Sequence, residues 1–346
     1  MITVRESGLL GRRRSRIGAS AVTLTIVAFV LGACGSNGGD SSTTTAATAA
    51  AVHADVSAPA TVEATIVGTT EAAHAVARIE SEVIGGRRFE INVPARYDGS
   101  RPVPLVVVLH GYTGSGSGAK AYFRLEAEAR KRGFLTVYPD GTSDSSGNRF
   151  WSATDACCQL TATEADDSAF LTGLIDRVEA KFSVDPKRVY FAGHSNGGFM
   201  SYRMACEHAD RIAAIVSVAG ATFADVSACK PSQPVSVLQV HGTSDTVISF
   251  TGGSILGHSY PAALTSVATW AAYNGCETAP AVGVAAKQLD LDDSVAGKDS
   301  SVTTFAGCAP GGAVELWTID GGSHEPKLTT DFASSIMDFL LAHPKP

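Results

Sequence analysis

Short apolar runs that alternate with segments of helical spacing are the feature that most limits the folds open to this chain. Runs such as Pro104–Leu109 (PLVVVL) and Arg188–Ala192 (RVYFA) are apolar on consecutive residues, as in strands covered on both faces. Between such runs, segments such as Asp166–Phe182 carry apolar residues at helical spacing. Alternating strands and helices predict an α/β fold, with a mostly parallel central sheet and helices on both faces.

The remaining elements follow from the same patterns. Arg78–Ile84 and Arg88–Val93, separated by two glycines, predict a β-hairpin. The other expected strands are 134–138, 212–218, 235–240 and 314–319, and the other expected helices are 119–132, 196–208, 260–273 and 331–341. Residues 139–165 and 277–307 show no clear period, and we expect them to be irregular. Ligands of such folds bind outside the carboxyl ends of the strands, so we expect the functional residues at these ends.

One strand end carries a catalytic motif. The run RVYFA leads directly into Gly193-His194-Ser195-Asn196-Gly197 and then into a predicted helix. This is the G-x-S-x-G turn of α/β-hydrolases, in which a serine hydroxyl is exposed at the N-terminus of a helix. The glycines are needed because the tight turn leaves no room for side chains beside the serine. The motif predicts an α/β-hydrolase fold with Ser195 as its nucleophile.

A base and an acid follow Ser195 in the order that this fold uses. A serine hydroxyl is a weak nucleophile and needs a base, and the acid precedes the histidine along the chain. Asp245 comes shortly after the predicted strand 235–240, and His324 shortly after the predicted strand 314–319. Both should lie at the edge of the sheet that carries Ser195. We expect His324 to take the serine proton and Asp245 to orient the imidazole.

Three other residues could compete for these roles. Asp320 could be the acid, but it is too close in sequence to His324 to face it readily. His241 could be a second base, and we interpret it as a residue that shapes the acid loop. His194 lies inside the nucleophile turn, where a supporting hydrogen bond is the expected role.

An acyl-transfer site also needs hydrogen-bond donors for the oxyanion. The backbone N–H of Asn196, directly after the nucleophile, is the first. The second should come from the glycine-rich loop HGYTGSG that follows Pro104–Leu109, and we choose Tyr112, with Thr113 as the alternative. A glycine-rich loop can also hold phosphate, but the GK[ST] sequence of a P-loop is absent.

The long loop 139–165 should cross the same edge of the sheet. Trp151 could line a subsite for an acyl or aromatic group, or it could simply pack the loop down. Thr113 is a second candidate for substrate contact. Asp166 and Asp167 open a predicted helix, where carboxylates act as caps.

The N-terminal residues carry export signals. An arginine cluster precedes the apolar run 19–32, which is too short for a comfortable membrane span. The sequence Leu-Gly-Ala-Cys ending at Cys34 resembles the lipobox of bacterial lipoproteins, which implies cleavage before Cys34 and lipidation of its sulfur. A plain signal peptide is the alternative. Small and polar residues then predict a flexible tether over 34–76.

This interpretation divides the chain into a signal peptide over 1–33, the lipidated cysteine and tether over 34–76, and a catalytic domain over 77–346. We expect an exported monomer that contacts the membrane only through its lipid anchor. The net charge of −7, with no basic stripe, argues against binding to nucleic acid.

Six cysteines remain besides Cys34, and an even set in an exported protein suggests disulfides. The number of cysteines alone leaves their pairing open. Their spacing lacks the CxxC or histidine pattern of a metal site, so we expect neither a metal nor an organic cofactor.

Several sequence blocks together resemble the family of polyhydroxybutyrate depolymerases and feruloyl-type carbohydrate esterases. The blocks, between Glu80 and Phe339, are HGYTGSG, YPDG, Cys157-Cys158, DDSAFLTGLID, RVYFAGHSNGGFMSYRMAC, HGTSDTVISF and WAAYNGC. The resemblance implies a secreted carboxylic-ester hydrolase with Ser195, Asp245 and His324 at the triad positions. Members commonly have Trp-Pro after the catalytic histidine, and Glu325-Pro326 stands there in this chain.

The resemblance implies esters of the 3-hydroxybutyrate type, or feruloyl or acetyl esters of carbohydrates. No polymer-binding domain follows Pro346, so we expect small or oligomeric esters rather than solid polyester. A peptidase or acyltransferase of the same fold, or a catalytically idle binding lipoprotein, is the alternative. By position along the predicted elements, we pair Cys206 with Cys229 and Cys276 with Cys308, which leaves Cys157 and Cys158 for each other.

Overall fold

The computed structural model describes residues 77–158, 165–255, 257–277 and 289–346. The predicted signal peptide, Cys34 and the tether 34–76 lie outside the described residues. Within those residues, no helix has both the length and the apolar character needed to cross a membrane.

The strands of the described residues form one large sheet and two short ribbons. In chain order they are β1 (Arg78–Ile84), β2 (Arg87–Val93), β3 (Val103–Leu109), β4 (Leu135–Pro139), β5 (Thr142–Ser143), β6 (Arg149–Phe150), β7 (Val184–His194), β8 (Ala214–Val218), β9 (Ser236–Gly242), β10 (Gly253–Ile255), β11 (His258–Tyr260), β12 (Ser300–Phe305) and β13 (Val314–Ile319). The large sheet has the order β1-β2-β4-β3-β7-β8-β9-β13-β12, while β5 pairs with β6 and β10 with β11. Its six central strands, from β4 to β13, are parallel, and antiparallel strands flank them at both edges.

Helices cover both faces of this sheet. They are α1 (Gly116–Phe123), α2 (Glu126–Arg132), α3 (Asp167–Glu179), α4 (Asn196–Glu207), α5 (Ala263–Tyr273) and α6 (Thr330–Ala342), with a 3₁₀ turn at Val226–Ala228. Successive strand residues point to opposite faces, so Val106 and Val108 pack with α1, α2 and α6, whereas Leu105 and Val107 pack with α3, α4 and α5. The predicted α/β-hydrolase fold is confirmed in this layered arrangement.

The expected single helix over 119–132 is wrong, because the segment forms the two helices α1 and α2. Arg124 lies between them in the left-handed conformation, with a φ of 50°. Its guanidinium donates hydrogen bonds to the carbonyl oxygens of Leu328 and Thr329, from a segment far along the chain. The break therefore depends on a tertiary contact that the local sequence pattern does not report.

The expectation of an irregular segment over 277–307 is also wrong in part, because β12 lies within it. This strand pairs with β13 at the edge of the large sheet, and an isolated antiparallel bridge joins its first residue, Ser300, to Leu289. Several side chains of this edge strand are partly exposed, and polar residues are tolerated there. Its sequence SSVTTF therefore lacks the apolar run that predicts a strand covered on both faces.

The structure joins three cysteine pairs: Cys157–Cys158, Cys206–Cys229 and Cys276–Cys308. Cys206 lies near the end of α4 and Cys229 lies before β9, at the end of the sheet opposite to Ser195. Cys276 follows α5 and Cys308 follows β12. These two disulfides hold the far side of the fold, whereas the Cys157–Cys158 pair lies near the strand ends discussed below.

The buried carboxylate of Asp167 fastens the loop 139–158 to the body of the fold. It forms an ion pair with Arg87 and accepts hydrogen bonds from the Thr142 hydroxyl at 2.9 Å and the Ser152 backbone N–H at 2.6 Å. The Arg87 guanidinium also covers the Phe170 ring, 3.4 Å from its centroid. Both aspartates are expected to cap α3, and Asp166 does so by accepting a hydrogen bond from the Ala169 N–H. Asp167 instead joins the loop 139–158 to Arg87.

We predict that Arg87→Met lowers the free energy of unfolding by about 3 kcal/mol, because the fully buried Asp167 then loses its counter-ion. Denaturant unfolding at neutral pH measures the change. Arg177→Met is the matched control, since it removes an exposed ion pair with Glu82 and should cost less than about 1 kcal/mol. Equal losses in the two variants would contradict the special role of the buried pair.

Candidate active site

Ser195 lies in a sharp turn between β7 and α4. It has a φ of 53° and a ψ of −120°, an uncommon conformation for a residue with a side chain. A Cβ on Gly193 would lie 2.1 Å from the Gly197 carbonyl oxygen, and one on Gly197 would lie 2.5 Å from the Leu109 carbonyl oxygen. Both positions therefore require glycine, and the turn holds the serine hydroxyl at the N-terminus of α4.

The structure brings Ser195, His324 and Asp245 together from three separate strand ends. The His324 Nε2 atom lies 2.9 Å from the Ser195 Oγ atom, and its Nδ1 atom lies 2.8 Å from the Asp245 Oδ2 atom. The carboxylate can only accept, so the His324 Nδ1–H donates to Asp245 and leaves Nε2 free to accept the serine proton. The three side chains thus form a continuous chain of hydrogen bonds.

The Asp245 carboxylate is buried and held in its ionised form. Burial by itself raises the pKa of Asp245, but hydrogen bonds from His241 and His324 outweigh it and keep this pKa well below its usual range. The backbone N–H groups of Val247 and Ile248 also donate to Oδ1, each at 2.8 Å. The carboxylate is therefore fixed in position and charged at neutral pH.

His241 supports the acid loop. The Gln239 amide donates to the His241 Nδ1 atom at 3.0 Å, so the Nε2–H donates to the Ile248 carbonyl oxygen at 2.7 Å. The same Nε2 atom lies 3.3 Å from the Asp245 Oδ2 atom. His241 is buried and faces Asp245 rather than Ser195, which agrees with the interpretation that it shapes the loop.

His194 supports the loop of His324. Its Nε2–H donates to the His324 carbonyl oxygen at 2.8 Å, and its ring lies between the rings of His324 and Tyr122. Burial lowers the pKa of His194 to about 4, so the ring is neutral at physiological pH. Asp320, the rival acid, is exposed and accepts a hydrogen bond from the Thr243 hydroxyl.

The two expected oxyanion donors face the same cavity as Ser195. The backbone N–H groups of Tyr112 and Asn196 have no acceptor among the described residues. The alternative donor Thr113 is wrong, because its N–H donates to the Arg149 carbonyl oxygen at 2.8 Å. Thr113 does line the cavity, so substrate contact through its side chain stays a prediction.

Trp151 does not contact the cavity, so the substrate-binding interpretation of this residue is wrong. Its side chain is 0% exposed, and its indole N–H donates to the His110 carbonyl oxygen at 3.0 Å. Its backbone N–H and carbonyl oxygen bind the Asn196 side-chain amide at 2.6 Å and 2.8 Å. Trp151 therefore joins the glycine-rich loop to the start of α4 through these hydrogen bonds.

The cavity above Ser195 has a volume of about 580 Å³. Its walls are mainly apolar, as is usual for sites that bind small organic groups. Sequence reasoning did not place Tyr122, Val247, Ile248 or Ile255 in this site, and these residues line the cavity together with the Cys157–Cys158 pair and Glu325.

Two of these wall residues had a signal in the sequence. Val247 and Ile248 come two and three residues after the candidate acid Asp245, and apolar residues at that place indicate a loop that faces the site. Tyr122 lies on α1, and no sequence pattern marks it. Among the described residues, no group of three or more histidine, cysteine or carboxylate side chains could hold a metal ion.

Several known proteins are similar to this chain. The family described as Esterase PHB depolymerase matches residues 91–292. The chain is 30% identical to feruloyl esterase B of Piromyces equi over 71% of this chain and 44% of that protein. It is 33% identical to the putative esterase NocK of Nocardia uniformis over 46% of this chain and 45% of that protein. The chain thus spans less than half the length of these two relatives.

Feruloyl esterase C of Emericella nidulans is 28% identical over 69% of this chain and 77% of that protein. Among solved structures, an acetyl xylan esterase from Aspergillus awamori has a TM-score of 0.51 at 16% identity, covering 76% of this chain and 98% of that chain. A thermostable esterase has a TM-score of 0.52 at 14% identity, covering 78% of this chain and 63% of that chain. These structural similarities support the fold.

We predict that stability falls as the pH decreases from about 6.5 to about 4, because the unfolded chain protonates His194 in this range while the folded protein resists it. After allowance for solvent screening, wild type should lose about 2 kcal/mol more than His194→Gln between pH 7 and pH 4, as measured by denaturant unfolding. His258→Gln, which replaces an exposed histidine, should follow wild type. An equal decline in His194→Gln and wild type would contradict the prediction.

Proposed function

The chain belongs to the Esterase PHB depolymerase family, and from this premise we propose that it hydrolyses carboxylic esters through an acyl-enzyme on Ser195. The observation that carries the proposal is the chain of hydrogen bonds from Ser195 through His324 to Asp245. The free N–H pair at Tyr112 and Asn196, which faces the same cavity, supports it further.

In the first step, the Ser195 Oγ atom attacks the ester carbonyl carbon while His324 Nε2 takes its proton. The negative charge that develops on the carbonyl oxygen is stabilised by the N–H groups of Tyr112 and Asn196 and by the N-terminus of α4. Asp245 stabilises the imidazolium that His324 becomes, because its buried carboxylate stays charged throughout.

In the second step, the tetrahedral intermediate collapses and His324 returns the proton to the departing alkoxide. The alcohol leaves, and the acyl group remains on Ser195. A water molecule then attacks the acyl carbonyl with His324 again as the base, which releases the acid and restores the serine. Since the alkoxide must be protonated by His324, the alcohol part of the substrate lies on the His324 side of the cavity.

The proposed substrates are small or oligomeric esters of the 3-hydroxybutyrate type, or feruloyl or acetyl esters of carbohydrates. The similarity to feruloyl esterases and the mainly apolar cavity support this range. Turnover of short acyl, cinnamoyl-type and 3-hydroxybutyrate oligomer esters, compared as kcat/KM, separates the classes.

We also propose that the enzyme is exported and anchored by a lipid on Cys34, with residues 77–346 as the catalytic domain. The three disulfides support an oxidising compartment. Cys34→Ala should release the protein from the membrane fraction if the anchor exists.

We predict that Ser195→Ala abolishes hydrolysis of p-nitrophenyl butyrate while the unfolding transition stays within about 1 kcal/mol of wild type. A fluorophosphonate should label wild type and fail to label the variant. A folded wild-type protein that neither hydrolyses esters nor takes the label would instead favour a binding lipoprotein.

We predict that Asp245→Asn lowers kcat by about 10³ to 10⁴-fold, because an amide cannot hold the His324 Nδ1–H tautomer in the same way. Asp320→Asn is the matched control and should leave kcat within about twofold, since Asp320 bonds Thr243 and lies away from His324. A large loss in the control, with little loss in Asp245→Asn, would assign the acid to Asp320.

A further inference from the structure

Among the described residues, a single carboxyl side chain lines the cavity above Ser195. Glu325 is the sole acidic residue that lines it, and neither lysine nor arginine lines it among the described residues. His110 and His194 also line it, and burial lowers the pKa of both rings, so they are neutral at physiological pH. Glu325 is therefore the acidic side chain that a substrate in this cavity can contact directly, whereas the Asp245 carboxylate lies behind His324.

The position of Glu325 is fixed by its neighbours on both sides. It directly follows His324, whose carbonyl oxygen accepts from His194. The Pro326 carbonyl oxygen accepts from the Tyr122 hydroxyl at 3.3 Å, and the Lys327 N–H donates to the buried Asp292 carboxylate at 3.0 Å. The backbone of residues 324–327 is thus held, and the exposed carboxylate stays at the mouth of the cavity.

No ion pair neutralises Glu325 within the part of the chain that the structure describes. A groove that continues from the cavity past Glu325 also holds Arg124, Lys327 and Asp293. The Arg124 guanidinium is bound to the carbonyl oxygens of Leu328 and Thr329 instead. Glu325 thus forms no ion pair with these side chains, and it is the acidic residue that lines both the cavity and the groove.

We propose that Glu325 selects substrates by the charge of their alcohol part. This inference rests on the proposed ester hydrolysis, in which the leaving alcohol lies on the His324 side. An alcohol with a cationic group near the ester is favoured, a neutral alcohol is accepted and an alcohol with a carboxylate is disfavoured. Because the effective dielectric at such a surface site is high, the effect of each charge is modest. We expect a cationic alcohol part to raise kcat/KM by about fivefold and an anionic one to lower it by about fivefold.

The selection has a consequence for oligoesters of hydroxy acids. The last ester bond before the free acid end has an alcohol part that carries a carboxylate, and this carboxylate would lie beside Glu325. Internal ester bonds have a neutral alcohol part. The enzyme should therefore cleave internal bonds faster than the terminal bond and accumulate the dimeric acid.

The test uses three butyrate esters that differ in the charge of the alcohol. Butyrylcholine is the cationic ester, 3,3-dimethylbutyl butyrate is its neutral counterpart of the same shape, and the butyrate ester of 4-hydroxybutanoate is the anionic one. The quantity measured is the ratio of kcat/KM for each charged ester to kcat/KM for the neutral ester. General losses of activity cancel in these ratios.

In Glu325→Gln we expect the cationic ratio to fall about fivefold and the anionic ratio to rise about fivefold. Raising the salt concentration should move the wild-type ratios in the same directions, because ions screen an exposed charge. Asp320→Asn, which removes an exposed carboxylate outside the cavity lining, should keep both wild-type ratios.

Unchanged ratios in Glu325→Gln, with Ser195-dependent hydrolysis of the neutral ester intact, would overturn this inference alone. Equal shifts in Glu325→Gln and Asp320→Asn would also overturn it, because the selection would then come from the general acidic surface. Failure of wild type to hydrolyse the neutral ester would overturn the proposed function, and the inference with it.

Discussion

The geometry of the active site depends on a close contact between the end of β3 and the start of α4. A Cβ on Gly197 would lie 2.5 Å from the Leu109 carbonyl oxygen and 2.7 Å from that of His110. This close approach holds the glycine-rich loop after β3 against the nucleophile turn after β7. The contact thereby brings the backbone N–H groups of Tyr112 and Asn196 to the same cavity. Neither segment could form this arrangement alone.

The same contact is supported from below by a network that also stabilises the fold. Trp151 bonds the His110 carbonyl oxygen through its indole and the Asn196 side chain through its backbone, so it joins the two segments that carry the proposed oxyanion donors. Its neighbour Ser152 is held by Asp167, which is paired with Arg87. A buried ion pair therefore acts on the active site through one loop, and stability and site geometry depend on the same residues.

Asp245 and His324 are held together in a comparable way. Strands β9 and β13 are parallel neighbours, and a Cβ on Gly242 would lie 2.2 Å from the Gly322 carbonyl oxygen. The loops after these strands are thus in direct contact, which sets Asp245 beside His324. The buried Gln239 and His241 then fix the Asp245 loop from inside the sheet.

The sequence by itself determined the layered α/β fold and the positions of Ser195, Asp245 and His324, because strand runs, a glycine turn and chain order are local patterns. Only the tertiary structure decided that Trp151 is buried and that the Thr113 N–H donates to the Arg149 carbonyl oxygen. It also decided that the predicted helix is divided at Arg124. It also decided which charged side chain faces the cavity. Each of these features depends on contacts between segments that are far apart along the chain. The periodicity of residues within one segment cannot predict such contacts.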